Sequence, residues 1–366
     1  MTTSKAGHID QITPGDSEHA VPSADPTVAS FRVSVIIAHT RPTVMRCLDG
    51  LARQTLGHDA FEVLVIGANP EQVVPSRYDF SIRYIECAEI NPSTRRHRGL
   101  AAARGELFAF VDDDAKPAED WLEVAVELFE MRPQLVIAGG VTLFPDWADF
   151  GELLTHKLAH AGFFGNGHEN LAEDSASPDR VLGYITSCNM IYAPRRAHLP
   201  DSFAVHVGYG GEDTLLIYEV ARRQPEGVYY STRLRVHHSR GSFGVGFLKT
   251  RFKYRLNNGL MLWVLPKIYA HNPKFAAGFL SASLICLAGI GRPSIFVEAF
   301  LIHQLLSFFY AARYFSVSKR LFLTFPIALA LIHAVYFFGV CAGFVSIALP
   351  AQTERVRQLR RRLFCA

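Results

Sequence analysis

Three consecutive carboxylates, Asp112, Asp113 and Asp114, follow the apolar run 107–111 and are the residues of this chain best placed for chemistry. Adjacent carboxylates supply the hard oxygen ligands that Mg²⁺ and Mn²⁺ prefer, and a cation held there would receive a diphosphate. The alternative is an acidic turn in which Asp114 caps the following helix and is stabilised by its positive end. The triplet by itself leaves both interpretations open.

A second acidic pair, Glu212 and Asp213, follows the glycine-rich segment 208–211. A carboxylate held against a hydroxyl accepts its proton when that hydroxyl attacks, and a neighbouring like charge raises the carboxylate pKa toward the range that a general base needs. The alternative is simple capping of a helix that begins at Thr214. Because the pair accompanies the acidic triplet, we favour catalysis over capping for Glu212 and Asp213.

Cationic side chains accompany both acidic groups. Arg96 and Arg98 lie on a short basic segment, where guanidinium groups match phosphate oxygens but also commonly form a solvated helix face. His237 and His238 end an apolar strand pattern, and each imidazole is either a metal ligand or a packed strand-end side chain. These residues extend a phosphate and metal site if the acidic residues form one.

Alternating strands and helices must position these residues. Because strand, helix and strand recur, the pattern predicts an α/β fold with a doubly wound sheet and right-handed crossovers. Ligands in such sheets bind outside the carboxyl ends of the strands, where the acidic triplet falls. Residues 142–182 lack this pattern and predict a long irregular excursion. The predicted strands are 33–38, 61–66, 82–86, 107–111, 136–141, 183–192, 228–230 and 234–238.

Taken in order, these features resemble a family-two glycosyltransferase with the GT-A fold. The resemblance covers about residues 32–256 and is strongest over 110–121 and 210–215. It implies a Rossmann-like, doubly wound mixed sheet and a reaction that moves a sugar from a nucleotide diphosphate to an acceptor with inversion at the anomeric carbon. The features that carry it are the first strand with its Thr40-Arg41 turn, Arg96 and Arg98 before Gly99, the acidic triplet, and Glu212-Asp213 followed by His237-His238.

The resemblance also implies a role for each matching residue. Asp112 would face the nucleoside and share the metal, and Asp114 would hold the metal, either Mg²⁺ or Mn²⁺. Asp213 matches the base residue of the family. The remaining implied roles are a metal contact for His237, with His238 as its rival, and nucleotide binding for Thr40, Arg41, Arg96, Arg98 and Asp113.

Two departures from the family pattern bear on specificity. The second strand is followed by Gly67-Ala68-Asn69 in place of the usual Asp that contacts the nucleobase, and Asn69 is a weak substitute. The family's Gly-Gly-Phe-Asp acceptor motif is replaced around 201–203. The nucleobase, the sugar and the acceptor therefore stay open.

The composition of the chain indicates its domain limits and which partners are excluded. Residues 1–30 hold almost no large apolar side chains and predict a disordered segment before a catalytic domain over 31–256. A net charge of +3, with no basic stripe interleaved with aromatics, argues against nucleic acid as a partner. The six cysteines show no CxxC spacing, which fits a reducing compartment.

Long apolar segments predict interfacial and transmembrane helices over residues 257–350. The stretches 275–291 and 321–349 contain no formal charge and are candidates for crossing a bilayer, which takes about 20 residues. Between them, 293–313 either crosses or lies in the interface. Five arginines in the basic tail 351–366 predict a cytoplasmic C-terminus and, with a catalytic domain that uses cytosolic nucleotide sugars, the inner face of the cell membrane. The alternative is a buried apolar helical subdomain.

The sequence therefore predicts a membrane-anchored, metal-dependent, inverting glycosyltransferase whose acceptor is a hydroxyl of a lipid-linked or membrane-proximal glycan. One alternative is a polyprenyl-phosphate sugar synthase. Its acceptor is already an anion and needs no base, so the Glu212-Asp213 pair argues against it. Another alternative is a degenerate transferase domain that serves as a membrane scaffold or nucleotide-sugar sensor, which the missing second-strand Asp keeps open.

Overall fold

The computed structural model describes residues 31–40, 44–68, 73, 75–145, 147–160, 173–177, 185–197, 211–238, 241–265, 283 and 289–364. The features predicted elsewhere lie outside the described residues, namely the disordered segment 1–30, Arg41, Asn69, the acceptor motif at 201–203 and most of the stretch 275–291.

The chain divides into two compact units. The first contains residues up to 146 together with 170–239, and the second contains 147–169 together with 240–366. By packing, residues 240–256 belong to the second unit, although the sequence assigns them to the catalytic domain. The functional boundaries at 256 and 350 stay predictions.

The first unit is built on one mixed sheet. Its eight described strands are β1 (Val33–Ala38), β2 (Phe61–Gly67), β3 (Ser81–Glu86), β4 (Leu107–Phe110), β5 (Ala115–Pro117), β6 (Ile137–Leu143), β7 (Met190–Tyr192) and β8 (Val228–His238), in the order β3-β2-β1-β4-β7-β6-β8-β5. Strands β1 to β4 run parallel, whereas β7 is antiparallel to β4 and β6. The predicted doubly wound mixed sheet is confirmed, and the two strands predicted near its end form the single strand β8.

Helices accompany the sheet and form the second unit. They are α1 (Val44–Leu51), α2 (Pro92–Ala102), α3 (Trp121–Met131), α4 (Phe150–His160), α5 (Glu212–Arg223), α6 (Val245–Met261), α7 (Ser294–Ala311), α8 (Lys319–Val345) and α9 (Pro350–Phe364). Helices α4 and α6 to α9 belong to the second unit.

Burial of both faces explains why the central strands are apolar throughout. In β1, Val33, Val35 and Ile37 join a core cluster with residues of α1 and α3. Ile36 points to the other face and joins a second cluster with residues of α5. This is the pattern of a parallel sheet covered on both sides, and it holds the carboxyl ends of the strands in a fixed arrangement.

Helix α4 shows that the irregular excursion predicted over 142–182 was wrong for its middle part. Asp149 and Glu152 each accept the other's backbone N–H at 2.7 Å, which is a reciprocal helix cap. Gly151 weakens the helical signal of the sequence. A Cβ there would, however, lie 2.0 Å from the Ser242 hydroxyl oxygen and 3.0 Å from the backbone nitrogen of Phe243, so a side chain at this position would crowd the neighbouring segment.

Two segments of the second unit are long and apolar enough to cross a membrane. They are Ser294–Tyr314, with 21 residues, and Lys319–Ala348, with 30 residues, and the most apolar 18-residue windows within them have mean hydropathies of 1.6 and 2.1. The segment 293–313, which the sequence assigned to a crossing or to the interface, is thus the first of two long apolar helices. The predicted C-terminal region of apolar helices is confirmed.

Candidate active site

Strand register brings three chain segments together at the carboxyl edge of the sheet. Phe110 of β4 pairs with Met190 of the antiparallel strand β7. Two residues beyond that pair on each chain, Asp112 and the turn residue Cys188 lie close together. His238 ends β8 next to β5, which follows the acidic triplet. As a result, a carboxylate oxygen of Asp112, the Cys188 sulfur and a ring nitrogen of His238 lie within 4.8 Å of one another.

His238 is the imidazole that reaches the carboxylates. Its Nε2 lies 3.1 Å from Asp114 Oδ1 and 3.6 Å from Asp112 Oδ2. Burial by itself lowers the pKa of His238, but the negative charge of Asp114 and the interaction with Cys188 outweigh burial, so the pKa is raised well above its usual value. Groups that stabilise a proton here also have the donor atoms to bind a metal cation.

His237 occupies the position before His238 on β8. Neighbouring strand residues point to opposite faces of the sheet, so the two imidazoles cannot both face the acidic triplet. The backbone of His237 is in register with Lys116 on one side and Leu143 on the other. The structure places His238 beside Asp114, and the metal contact that the sequence assigned to His237, with His238 as its rival, stays a prediction.

Asp113, the middle residue of the triplet, is bound within the protein. Its Oδ2 accepts the backbone N–H of Thr40 at 2.5 Å and the Thr40 hydroxyl at 3.2 Å, and the residue is 1% exposed. Asp113 thereby joins the loop after β1 to the loop after β4. A direct nucleotide contact for the side chains of Asp113 and Thr40 stays a prediction, and Arg41 of the same predicted set lies outside the described residues.

Arg96 connects the two acidic groups. Its Nη2 donates to Asp112 Oδ1 at 2.8 Å, and its Nη1 donates to Glu212 Oε1. Its guanidinium is buried, because α2 packs against the sheet at this position. Arg98 has a different partner, since its Nη1 donates to the backbone carbonyl of Glu86 at 3.3 Å. Of the two predicted arginines, Arg96 is the one that the structure brings to the acidic residues.

Asp213 lies in the first turn of α5 and has the electrostatic surroundings of a base. Gly211 precedes the helix with a φ of 96°, a left-handed conformation that favours glycine. Asp213 accepts the backbone N–H of Ser187 at 3.0 Å and that of Thr214 at 2.7 Å. Burial and then the charge of Glu212 raise the pKa of Asp213 by more than its hydrogen bonds lower it. A raised carboxylate pKa suits proton abstraction near neutral pH.

Glu212 is buried with one oxygen engaged. The residue is 2% exposed, and its Oε1 accepts from Arg96. Among the residues that the structure describes, no hydrogen bond reaches Oε2. Buried carboxylate oxygens normally have a partner, so Oε2 is an unsatisfied acceptor among the described residues.

Cys188 lies close to these groups although no sequence pattern singled it out. The Cys188 sulfur lies 3.0 Å from Thr186 Oγ1 and 3.8 Å from Thr142 Oγ1. Arg95 donates to the Glu89 carbonyl at 2.6 Å and holds the loop before α2. An isolated cysteine has no spacing signal, and only the pairing of β4 with β7 reveals its position.

Comparison with known proteins identifies one family. Residues 34–191 match the family model described as Glycosyl transferase family 2. A stretch of 90 residues is 33% identical to the glucosyl-dolichyl phosphate glucuronosyltransferase of Haloferax volcanii, covering 23% of this chain. The match spans 28% of the length of that curated relative.

Solved structures are similar in fold. The mannosyltransferase PcManGT from Pyrobaculum calidifontis, in complex with GDP-Man and Mn²⁺, has a TM-score of 0.50 at 16% identity, over 90% of each chain. The S. aureus TarS 1-349 structure has a TM-score of 0.45 at 14% identity, over 87% of this chain and 91% of that chain. The likeness to PcManGT confirms the GT-A fold that the sequence predicted.

Proposed function

The chain carries a glycosyl transferase family 2 domain over residues 34–191, and from this premise we propose that it moves a sugar from a nucleotide-diphosphate donor to a hydroxyl of a lipid-linked or membrane-proximal glycan. The observation that carries the proposal is buried Arg96, which joins Asp112 of the cation-binding cluster to Glu212 beside Asp213. One guanidinium therefore joins a carboxylate suited to the metal and the departing diphosphate to Glu212, the neighbour of the base Asp213.

The donor atoms of the cluster fit a divalent cation. Asp112, Asp114 and His238 would hold Mg²⁺ or Mn²⁺, and the bound ion would neutralise charge on the departing diphosphate as a Lewis acid. The mannosyltransferase of similar fold binds GDP-Man and Mn²⁺, and we extend its class of donor, without its sugar or base, to this chain.

Asp213 would accept the proton of the acceptor hydroxyl as that oxygen attacks the anomeric carbon. The new carbon–oxygen bond forms while the bond to the diphosphate breaks, so the anomeric configuration inverts in one displacement. The backbone N–H groups of Ser187 and Thr214 hold the carboxylate in place. Burial and the Glu212 charge keep its proton affinity high enough for this transfer.

The second unit supports a membrane setting. Only 11% and 39% of the most apolar windows of its two long helices are buried within the described structure, which argues against a buried helical core. Helix α9 then carries Arg355, Arg357, Arg360, Arg361 and Arg362. We propose that the chain is anchored in the cell membrane with its catalytic domain on the cytoplasmic side. Carbonate washing of membranes should leave the full-length chain in the pellet, and its release would contradict this anchor.

The name of the Haloferax volcanii relative supports a lipid-linked acceptor, since it contains dolichyl phosphate. A polyprenyl-phosphate sugar synthase is the second candidate. Its phosphate acceptor requires no base, so the raised pKa of Asp213 favours a hydroxyl acceptor. A degenerate scaffold or sensor is the third, and it predicts no turnover with any donor.

Thermal unfolding of the detergent-solubilised chain with UDP, GDP, dTDP and CDP, each with and without Mn²⁺, tests the donor site. A ligand that binds the folded state raises the apparent stability by mass action, by about 2.7 kcal/mol at 100 times its Kd. We expect one nucleotide to raise the melting temperature in a metal-dependent way.

Two variants make this experiment specific. Asp112→Asn should lose the metal-dependent part of the shift. Asp120→Asn is the matched control, because Asp120 forms an exposed ion pair with Arg235 at 3.1 Å outside the cluster. Absence of a shift with all four nucleotides would contradict the donor site and favour a degenerate domain.

A further inference from the structure

Cys188 places a thiol sulfur among the oxygen and nitrogen groups at the carboxyl edge of the sheet. The residue is 7% exposed, and its sulfur shares the 4.8 Å cluster with Asp112 and His238. We propose that Cys188 is a sulfur ligand of the divalent metal, so that the site binds Zn²⁺, Co²⁺ or Cd²⁺ in preference to Mg²⁺. This inference rests on the metal site of the proposed function and adds to it the class of metal.

The spacing of the donor atoms fits a single ion. Zinc binds sulfur at about 2.3 Å and nitrogen or oxygen at about 2.0–2.2 Å, so a sulfur and a carboxylate oxygen on one ion lie at most about 4.5 Å apart. The ligand atoms of Asp112, Cys188 and His238 lie within 4.8 Å of one another, which is close to this limit.

The β4–β7 pairing that joins Phe110 to Met190 brings the segments of two ligands together, because Asp112 and Cys188 each lie two residues beyond that pair. Asp112 Oδ1 is occupied by Arg96, whereas Oδ2 is the oxygen 3.6 Å from His238. The carboxylate is therefore oriented with its second oxygen toward the cluster.

Two hydroxyl groups surround the sulfur. Thr186 Oγ1 at 3.0 Å and Thr142 Oγ1 at 3.8 Å are both able to donate a hydrogen bond to a Cys188 thiolate. Groups of this kind, one step removed from a metal, orient a ligand and stabilise its deprotonated form. The surroundings of Cys188 are thus those of a ligand and not of a packed apolar thiol.

The other buried cysteines in the described part of the chain have different surroundings. Cys47 is buried in the apolar core, where the negative charges of the acidic triplet also act on it, but it is not part of the grouping of Asp112, Cys188 and His238. The Cys87 sulfur is 3.9 Å from the Glu89 carbonyl oxygen. Within the described ranges, the grouping of metal-ligand side chains found around Cys188 does not recur.

Ligand chemistry predicts the metal preference. Mg²⁺ takes oxygen ligands in near-ideal octahedral geometry, whereas thiolate sulfur selects softer ions. Replacing the sulfur by a hydroxyl should therefore lower affinity for Cd²⁺ on the order of 10-fold or more and leave affinity for Mg²⁺ nearly unchanged.

Cobalt absorption of the full-length chain in detergent reads out the bond directly. One equivalent of Co²⁺ should produce a near-ultraviolet thiolate-to-cobalt band in the natural chain. Cys188→Ser should abolish this band, and Cys341→Ser, which changes a half-buried thiol of α8, should retain it. A band that survives in Cys188→Ser would overturn the assignment.

X-ray absorption of the zinc-loaded natural chain tests the same bond without a variant. We expect a sulfur scatterer at about 2.3 Å, and a shell of oxygen and nitrogen only at about 2.0–2.2 Å would overturn the proposal. The two proposals can fail separately. If Mn²⁺-dependent nucleotide stabilisation is observed without any metal–sulfur bond, only the sulfur ligand is excluded. If neither the nucleotide stabilisation nor the metal–sulfur bond is observed, both the proposed donor site and the sulfur ligand are excluded.

Discussion

Two buried Arg–Glu ion pairs occur in the first unit, and they differ in how completely their groups are bonded. Arg83 with Glu62 lies near the amino ends of β1 and β2, and Arg96 with Glu212 lies at the carboxyl edge. Glu62 is 0% exposed and Glu212 is 2% exposed, so burial does not distinguish the two.

The Glu62 pair is saturated. Its Oε1 accepts the Ser34 hydroxyl and the Arg104 backbone N–H, both at 2.7 Å. Its Oε2 accepts Arg83 Nε at 3.0 Å and Nη2 at 2.8 Å. Arg83 also donates to the Ala102 carbonyl. This network joins β1, β2, β3 and the end of α2, and it leaves no carboxylate oxygen for a ligand.

The Glu212 pair is shared and incomplete. Arg96 divides its guanidinium between Glu212 and Asp112, and Glu212 Oε2 accepts no hydrogen bond from the described residues. The adjacent Asp213 has a raised pKa. The same two residue types thus stabilise the fold when every donor and acceptor is paired and mark a reactive site when some are left open.

Asp213→Asn should give the largest effect and separate activity from stability. Removal of a general base lowers the rate of transfer by roughly 10²- to 10⁴-fold. The melting temperature should not fall markedly, because the raised pKa means that the charged form of Asp213 opposes folding at neutral pH. Transfer assays and thermal unfolding, with nucleotide-induced stabilisation retained, provide the measurement. Unchanged transfer would exclude Asp213 as the base.

Glu62→Gln should affect stability instead. It leaves the Arg83 charge buried without its partner, which costs about 3–5 kcal/mol of the free energy of unfolding. Chemical denaturation measures this loss, and the kcat of the folded fraction should stay near that of the natural chain. Glu212→Gln is the matched variant, with a smaller loss of stability because Arg96 keeps Asp112, and a clear loss of activity. Equal stability losses would contradict the comparison.

Arg96→Lys should lower kcat/KM by roughly 10- to 100-fold. A lysine cannot bridge two carboxylates as the guanidinium of Arg96 does, and each hydrogen bond to a charged group contributes about 1.5–3 kcal/mol. Arg98→Lys is the control two residues away, where the contact is one backbone carbonyl. We expect steady-state kinetics to separate the two variants, and similar losses in both would show that α2 helix surface charge, not bridging, matters.

The pH dependence of kcat/KM should give the smallest but most specific effect. Because the pKa of Asp213 is raised by burial and by Glu212, activity should fall as the pH drops through that raised value, where the carboxylate becomes protonated. In Glu212→Gln one cause of the shift is removed, so the acidic limb should move to lower pH. A limb that stays in place would mean that another group controls it.

The local sequence pattern was sufficient to predict where much of the candidate site lies in the fold. The strands before the acidic triplet and the glycine-rich approach to Asp213 are encoded in consecutive residues, so periodicity and order along the chain predicted the α/β sheet and the edge where the site lies. Helix α4 was missed because Gly151, in its first turn, weakens the helical signal of the sequence. The reason for a glycine at this position is the closeness of Ser242 and Phe243, which are distant in sequence.

The sequence by itself determined which residues lie at the carboxyl edge of the sheet, because a strand ends where its run of consecutive apolar residues ends. Only the tertiary structure determined which contacts each of those residues makes. It placed His238 beside Asp114, bound Asp113 internally to Thr40, made Arg96 the link between two acidic groups and brought Cys188 close to Asp112. The physical reason is that strand pairing and side-chain direction depend on partners far away in the chain, and a shift of one residue along a strand exchanges one face for the other.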